Sequence, residues 1–256
     1  MNIAVAVKRV PAPGAKIVLT PDALAIETKL LGFAISPHEE CAVEEAVRLV
    51  EKHGGSVTVM ALGPVEAIEQ LRAALAVGAD DAVLLKTDGS EWDPQATASA
   101  LAEAMTAIES DKGGFDLILV GNESADSGGY QVGVRLAHHL GRPIVTGIKG
   151  LEVVDETLVA RRQTADGYEV YQVDLPAVAA VKEGINLPRY PTLKGRLRAK
   201  SHPVVEIVPI ASPGGLQMLR LQRPPDETSQ TEILGSGPEA APRVIEVLTG
   251  LGLVAR

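Results

Sequence analysis

The chain alternates between short apolar runs and longer stretches in which apolar residues recur every three or four positions. Ile3 to Val7, Val57 to Leu62, Ala82 to Leu85, Leu117 to Val120 and Pro143-Ile144-Val145 are runs of strand length. Between them lie three helical faces: Ala42, Val43, Ala46, Val47 and Val50; Val65, Ile68, Leu71 and Leu75; Ala98, Leu101, Met105 and Ile108. A fourth is shorter, with Val132, Leu136 and Leu140 four apart, as one face of a helix requires. The order is β-α-β-α-β-α-β-α-β. This predicts an α/β fold, a Rossmann-like parallel sheet with helices on both faces.

Helix boundaries are written into the same stretches. Ser36-Pro37-His38-Glu39 reads as an N-cap, a proline at the first helical position and the acid of a capping box. Gly54-Gly55 and Gly78 read as stops, and Asp93-Pro94 as a second N-cap with proline. Ile17 to Leu19 and Ala25 to Glu27, around Thr20-Pro21-Asp22, predict a hairpin excursion.

After residue 150 the periodicity changes. Leu151 to Val154, Leu158 to Arg162, Tyr168 to Val173 and Ala177 to Val181 are strand-like and joined by polar turns, so antiparallel additions to the sheet are expected. A basic helical stretch then carries Lys194, Arg196, Arg198 and Lys200. The remainder is punctuated by Pro213-Gly214-Gly215 and Arg223-Pro224-Pro225 and ends in a short helix from about Ala240 to Leu248. It has too few apolar positions for a second core. The expected organisation is a nucleotide-binding α/β domain over 1–205 and a C-terminal extension over 206–256 that wraps its own domain or a partner.

Composition narrows the function. The net charge of −9 argues against nucleic acid, which calls for a basic footprint. Aromatic residues make up 3% of the chain, so the core must be aliphatic, which suits parallel strands covered by helices. With a single cysteine, Cys41, no internal disulfide forms and a reducing compartment is expected. No signal or transit peptide is read at the N-terminus. No apolar run reaches bilayer length. The expectation is a cytoplasmic protein without membrane insertion.

The candidate chemistry lies after the fourth strand. Gly121-Asn122-Glu123-Ser124-Ala125-Asp126-Ser127-Gly128-Gly129-Tyr130-Gln131-Val132 is a small-residue loop between a strand end and a helix start. In open α/β sheets ligands bind at such carboxyl ends, and a helix N-terminus there suits a phosphate. The same residues also suit an ordinary connection, for the loop is neither a P-loop nor a Gly-x-Gly-x-x-Gly fingerprint. Ser124, Ser127, Gln131 and the loop N–H groups are the natural phosphate or adenine partners. A carboxylate at Asp126 would repel phosphate, so it is expected to brace the loop or accept from a ribose hydroxyl. The strand ends at Ala6 to Lys8 and Leu62-Gly63, and the Ser36 helix start, converge on the same crevice. No catalytic residue or metal site is read: His138 and His139 are adjacent and diverge on a helix. Glu44-Glu45 and Asp80-Asp81 read as solvated charges. A nucleotide-type sheet without catalytic machinery points to a binding or carrier protein.

Several segments together resemble the β subunit of electron transfer flavoproteins, over roughly residues 1 to 205. They are Val5-Ala6-Val7-Lys8-Arg9-Val10, Cys41 to Leu49, Arg72 to Asp80, the Gly121 loop, and Pro188-Arg189-Tyr190-Pro191-Thr192-Leu193. The resemblance implies an electron carrier subunit rather than an enzyme, paired with an α subunit that holds most of the FAD. It implies a structural AMP in this subunit, bound by Ala6, by Ser36, Pro37, His38 and Glu39, by Leu62 and by the Gly121 to Val132 loop. It also implies electrons received from acyl-CoA or related dehydrogenases of fatty acid oxidation and passed to an electron transfer flavoprotein–quinone oxidoreductase. Arg189, Tyr190, Pro191, Thr192, Leu193 and Lys194 would form the partner-recognition segment, with Leu193 as the anchor. In a departure from the family, this chain has Pro13 and His38 where many relatives place aromatic residues near the flavin; those two positions are the candidate flavin contacts, with His38 the one able to supply it. Bifurcating relatives carry a second FAD here and often read Asp-Gly-Asp-Thr, whereas this loop reads Asp126-Ser127-Gly128-Gly129, which favours AMP. The rival readings are a bifurcating NADH-linked complex with that second FAD, and a free-standing adenine-nucleotide-binding regulatory protein like universal stress proteins.

Overall fold

The computed structural model describes residues 1–210, 214–216, 218–224 and 231–254. The chain forms two compact units, Met1–Leu219 and Arg220–Arg256. In the first unit the strands are β1 (Asn2–Val7), β2 (Arg9–Pro11), β3 (Phe33–Ile35), β4 (Ser56–Gly63), β5 (Asp81–Lys86), β6 (Leu117–Gly121), β7 (Ile144–Val154), β8 (Thr157–Thr164), β9 (Gly167–Asp174), β10 (Ala177–Val181) and β11 (Val205–Ile207). Its helices are α1 (Pro37–His53), α2 (Ile68–Val77), α3 (Pro94–Lys112), α4 (Val132–Leu140) and α5 (Leu193–Ser201). Nine strands form one sheet in the order β11-β5-β4-β1-β6-β10-β7-β8-β9, and β2 and β3 pair separately.

The alternation of side chains explains why the central runs are apolar without a break. On β1, Ile3, Val5 and Val7 enter the core shared with α1 and α2, while Ala4 enters the core under α3 and α4. On β6, Leu117 and Leu119 face the first core, and Ile118 and Val120 the second. A strand buried on both faces has no polar side to show.

The strand order reverses between β1 and β6. β4 and β5 continue to one side of β1, whereas β6 lies on the other, with Ala6 opposite both Met60 and Val120. Such a reversal opens a crevice at the carboxyl ends of the two strands.

Four sequence expectations need correction. Ala177 to Val181 is not an antiparallel addition: β10 runs parallel, inserted between β6 and β7. All five of its residues are buried, as an internal parallel strand requires. Leu151 to Val154 is not a separate strand but the far end of β7. That strand turns at Gly147, with φ of +69°, and passes from parallel pairing with β10 to antiparallel pairing with β8. Val65 does not line a helical face: it lies in a 3-10 turn ahead of α2 and is exposed. Finally, β11 pairs with β5, so the sheet crosses the expected boundary at 205/206.

The hairpin excursion is present as a bridge between Leu19 and Ile26. The short β2–β3 pair was not foreseen, and Arg9 stacks over the Phe33 ring at 3.3 Å. Pro213, Pro225 and part of the Pro-Gly punctuation lie outside the described residues. In the second unit α6 (Ala241–Gly250) buries none of its residues and leaves Val244, Ile245 and Val247 exposed. No described helix is long and apolar enough to cross a membrane.

α5 packs on α2 through an absence of side chain. A Cβ on Gly195 would stand 2.2 Å from the Ala76 carbonyl oxygen. Around this contact Arg198 donates to the Leu75 and Ala79 carbonyls at 2.7 and 3.0 Å, and Arg72 donates to Ala199 O at 2.9 Å. Gly195→Ala is therefore expected to cost about 1–3 kcal/mol through overpacking and to lower the thermal unfolding midpoint. Gly114→Ala, where a Cβ meets nothing within 4 Å, is the control.

Candidate functional site

The carboxyl end of β1 is fixed by three unusual contacts. Lys8 O accepts from Ser36 N at 3.3 Å. Lys8 N–H donates to the Glu39 carboxylate, and the Lys8 ammonium reaches Asp126 Oδ2 at 2.8 Å. The strand end is thus tied to the start of α1 and to the loop after β6.

The capping box predicted at Ser36 and Glu39 does not form. Proline sits at the first position, but the Ser36 side chain makes no cap hydrogen bond. Its Oγ accepts from Ala125 N at 3.2 Å, across the crevice. Glu39 turns to Lys8 N instead of to Ser36 N. Both side chains are buried, and both serve tertiary contacts rather than the helix end. At Asp93 the local rule holds, with its carboxylate accepting from Gln95 N and Ala96 N.

Glu39 is 7% exposed and lies against the backbone of β6, where a Cβ on Gly121 would stand 2.7 Å from its Cγ. Burial is the main cause that pushes its carboxyl up to about 8, partly opposed by the Lys8 N–H and the Lys8 charge. Asp126 goes the other way. Burial opposes its ionisation, but the Lys8 charge and hydrogen bonds from Lys8, Ser124 and Ser127 outweigh that and hold it below the usual range.

The loop itself is braced internally. Asn122 N donates to Val181 O at 2.8 Å and Gly128 N to Ser124 O at 3.0 Å. Ser124 Oγ and Ser127 Oγ lie 2.9 Å apart, and Ser127 N donates to Asp126 Oδ1 at 2.7 Å. Gly128 takes φ of +56° and Tyr130 φ of +50°, a left-handed pair of positions that turns the chain into α4. At Gly133 a Cβ would stand 2.8 Å from Val120, so α4 starts directly on β6.

A cleft of about 360 Å³ opens here, lined by Pro37, His38, Glu123, Ser124, Ala125, Asp126, Ser127, Gly128 and Glu183. Clefts for small organic ligands run from roughly 300 to 1,000 Å³. His38 Nε2 stands 3.9 Å from Glu123 Oε1, and its buried Nδ1 has no hydrogen-bond partner. An orphaned ring nitrogen in a cleft wall suits a polar ligand atom.

The structure gathers only part of the expected set in that wall. Ala6, Leu62, Gly121 and Glu39 lie at the strand ends and helix start beside it. Gly129, Tyr130 and Val132 lie beyond the lining residues. Gln131 is engaged by Arg135 at 2.9 and 3.1 Å. Pro13 is exposed in the excursion between β2 and β3. One residue was missed, and another was placed without its role. Lys8 was expected at the crevice as part of a strand end, but not as the partner of Asp126. Glu183 follows β10, and reading β10 as antiparallel had removed its carboxyl end from this edge of the sheet.

The 189–194 segment combines a fixed base with projecting tips. Arg189 donates to Glu44 Oε2 at 2.9 Å and to Glu51 at 2.6 and 2.9 Å. Its hydrogen bonds to Glu51 and then Glu44 raise its pKa. Glu44 is not the solvated charge expected from sequence. It is 3% exposed and also binds Arg48 at 2.6 Å. Burial opposes its ionisation, and the hydrogen bonds from Arg189 and Arg48 overcome it. Its neighbour Glu45 holds Asn186 Nδ2 at 2.9 Å. Asp80 accepts from Val57 N at 2.9 Å and Asp81 pairs with Lys112 at 3.0 Å. Past Arg189, Tyr190 is 93% and Leu193 77% exposed. Thr192 caps α5 by accepting from Gly195 N at 3.0 Å, Pro191 is half-buried and Lys194 is exposed.

Among the described residues no group of three or more His, Cys, Asp or Glu is placed to hold a metal. The family model described as "Electron transfer flavoprotein domain" matches residues 24–212. The chain is 38% identical over 209 residues to the electron transfer flavoprotein subunit beta of Bacillus subtilis, covering 81% of this chain and 79% of that one. It is 36% identical over 210 residues to the same subunit of Thermoanaerobacterium thermosaccharolyticum, covering 81% and 78%. Against the subunit beta of Mycobacterium tuberculosis H37Rv it is 37% identical over 209 residues, covering 79% and 77%. The fold, the crevice at its strand reversal and this extent of likeness place the chain in the electron transfer flavoprotein family, among its β subunits.

Proposed function

We propose that this chain carries a structural AMP in the cleft between α1 and the Gly121 loop and pairs with an α subunit that holds most of the FAD. The observation that supports the reading is the convergence of β1, the start of α1 and the β6 loop on one cleft at the strand reversal. Ser124, Ser127 and the His38 ring would meet the nucleotide. Bound flavin would supply the electron chemistry, and this chain's residues would orient and shield it, with His38 the nearer candidate of the two. Pro13 has no place in the cleft wall. The chain's own role is carriage: the cleft organises the subunit, and the C-terminal extension that follows β11 wraps the partner with its exposed apolar α6 face.

Donors such as acyl-CoA dehydrogenases would dock on the Tyr190 to Lys194 segment, and a quinone oxidoreductase would take the electrons onward. Arg189, clamped on α1, makes the tip stiff, so little conformational entropy is lost when Leu193 enters a pocket.

Co-expression with the α partner, followed by release and identification of nucleotides, tests the cofactor assignment. One FAD and one AMP per heterodimer are expected. Two FAD would favour the bifurcating rival, and a flavin-free homodimer the regulatory one.

Substitution separates the tip from its base. Leu193→Ala is expected to change stability by less than about 0.5 kcal/mol and to leave flavin content intact while weakening electron transfer from the donor. Arg189→Ala leaves Glu44 without that partner, and about 1–3 kcal/mol of stability should be lost. Unchanged electron transfer from every donor in Leu193→Ala would remove the anchor role.

Glu39 gives the fold a pH dependence with a defined sign. Its carboxyl moves from the ordinary 4.5 up to about 8 on folding, so folding favours the protonated form. That contribution is fully present below pH 4.5 and is lost as pH rises through about 8. Relative to Glu39→Gln, the wild-type chain should lose stability steadily across this window and then level off. Melting curves of both proteins from pH 4 to 9 would show it; a constant difference would mean that folding leaves the Glu39 pKa unshifted.

A further inference from the structure

The cleft has an electrostatic difficulty. Glu123, Asp126 and Glu183 all line it, and no Lys or Arg is among its described lining residues. A phosphate brought there meets carboxylates. Lys8 stands against the loop, with its ammonium 2.8 Å from Asp126 Oδ2, 3.0 Å from Asp126 Oδ1 and 3.2 Å from Ser127 Oγ. Glu91 is more distant, at 3.9 Å. The Lys8 backbone is held on both sides, its N–H by Glu39 and its carbonyl by Ser36 N. The ammonium is therefore aimed by the fold.

We propose that Lys8 is a positioning residue for an anionic ligand: its ammonium neutralises Asp126 and sets Asp126 and Ser127 in the arrangement that admits the phosphate of a nucleoside monophosphate. This rests on the nucleotide reading and adds to it a residue outside the cleft wall. The Lys8 charge in contact with Asp126 offsets the repulsion between that carboxylate and a phosphate, and the Lys8–Ser127 contact fixes the Ser127 hydroxyl. A neutral nucleoside gains little from either effect, so discrimination between AMP and adenosine reports on Lys8. A lysine that merely held the loop in shape would affect both ligands alike.

The test is calorimetric binding of AMP and of adenosine to the full-length chain freed of nucleotide. Lys8→Met should weaken AMP at least about tenfold and adenosine much less. Lys8→Arg, which keeps the charge, should stay close to wild type. Adding Asp126→Asn to Lys8→Met should recover most of the AMP affinity, because the uncancelled carboxylate is then gone. Asp126→Asn alone, which leaves the cation in place, should raise the preference for AMP over adenosine and gives a reading even if Lys8→Met folds poorly. Equal losses for AMP and adenosine in Lys8→Met, or an unchanged preference in Asp126→Asn, would overturn the inference while AMP binding by the wild-type chain kept the nucleotide reading intact. A wild-type chain that binds neither ligand would take both down.

Discussion

The reversal of strand order between β1 and β6 is the constraint on which the rest depends. Two adjacent parallel strands whose onward connections leave to opposite sides cannot both be covered at their carboxyl ends by their own helices. Residues at those ends must find partners across the gap. Here Lys8, Ser36, Glu39, Ala125 and Asp126 do so with one another. The crevice and its polar network share one topological cause.

That network takes precedence over local rules. Ser36 and Glu39 have the spacing of a helix cap, yet one side chain accepts from Ala125 and the other from Lys8. The N-terminus of α1 thus gives up reciprocal capping, a modest contribution of roughly 1 kcal/mol, for contacts that join three elements. Glu39 adds a burial cost, visible in its raised pKa. Asp126 bears a burial cost too, but the Lys8 charge and hydrogen bonds from Lys8, Ser124 and Ser127 outweigh it. Two carboxylates within one network are therefore shifted in opposite directions.

The layered core was legible because its signal is periodic. Ile3, Val5 and Val7 against Ala4, or Leu117 and Leu119 against Ile118 and Val120, need only an apolar run and helices on both sides. Strand direction was not legible at β10. A buried apolar run reads the same in either sense, and only pairing with β6 and β7 decides it. Glu183 was lost with that decision. The Gly121 loop was visible as small residues after a strand, but Lys8 was not visible as its partner, since the two are far apart in sequence. Glu44 looked like a surface charge because its cation, Arg189, comes from a distant segment. Residue type and local spacing record periodicity and turns; they do not record which charge lies across a gap.

The clamp of Arg189 on Glu44 and Glu51 has a consequence for how the surface can change over generations. Side chains that hold the segment point into α1, and those that project, Tyr190 and Leu193, touch little else. Leu197, also exposed, lies on the outward side of α5 while Ala199 is buried. Structural duty and outward display are thus divided between neighbouring positions. The display side can change its chemistry residue by residue without disturbing the crevice or the sheet beneath it, so a partner can be matched there at little cost to the fold.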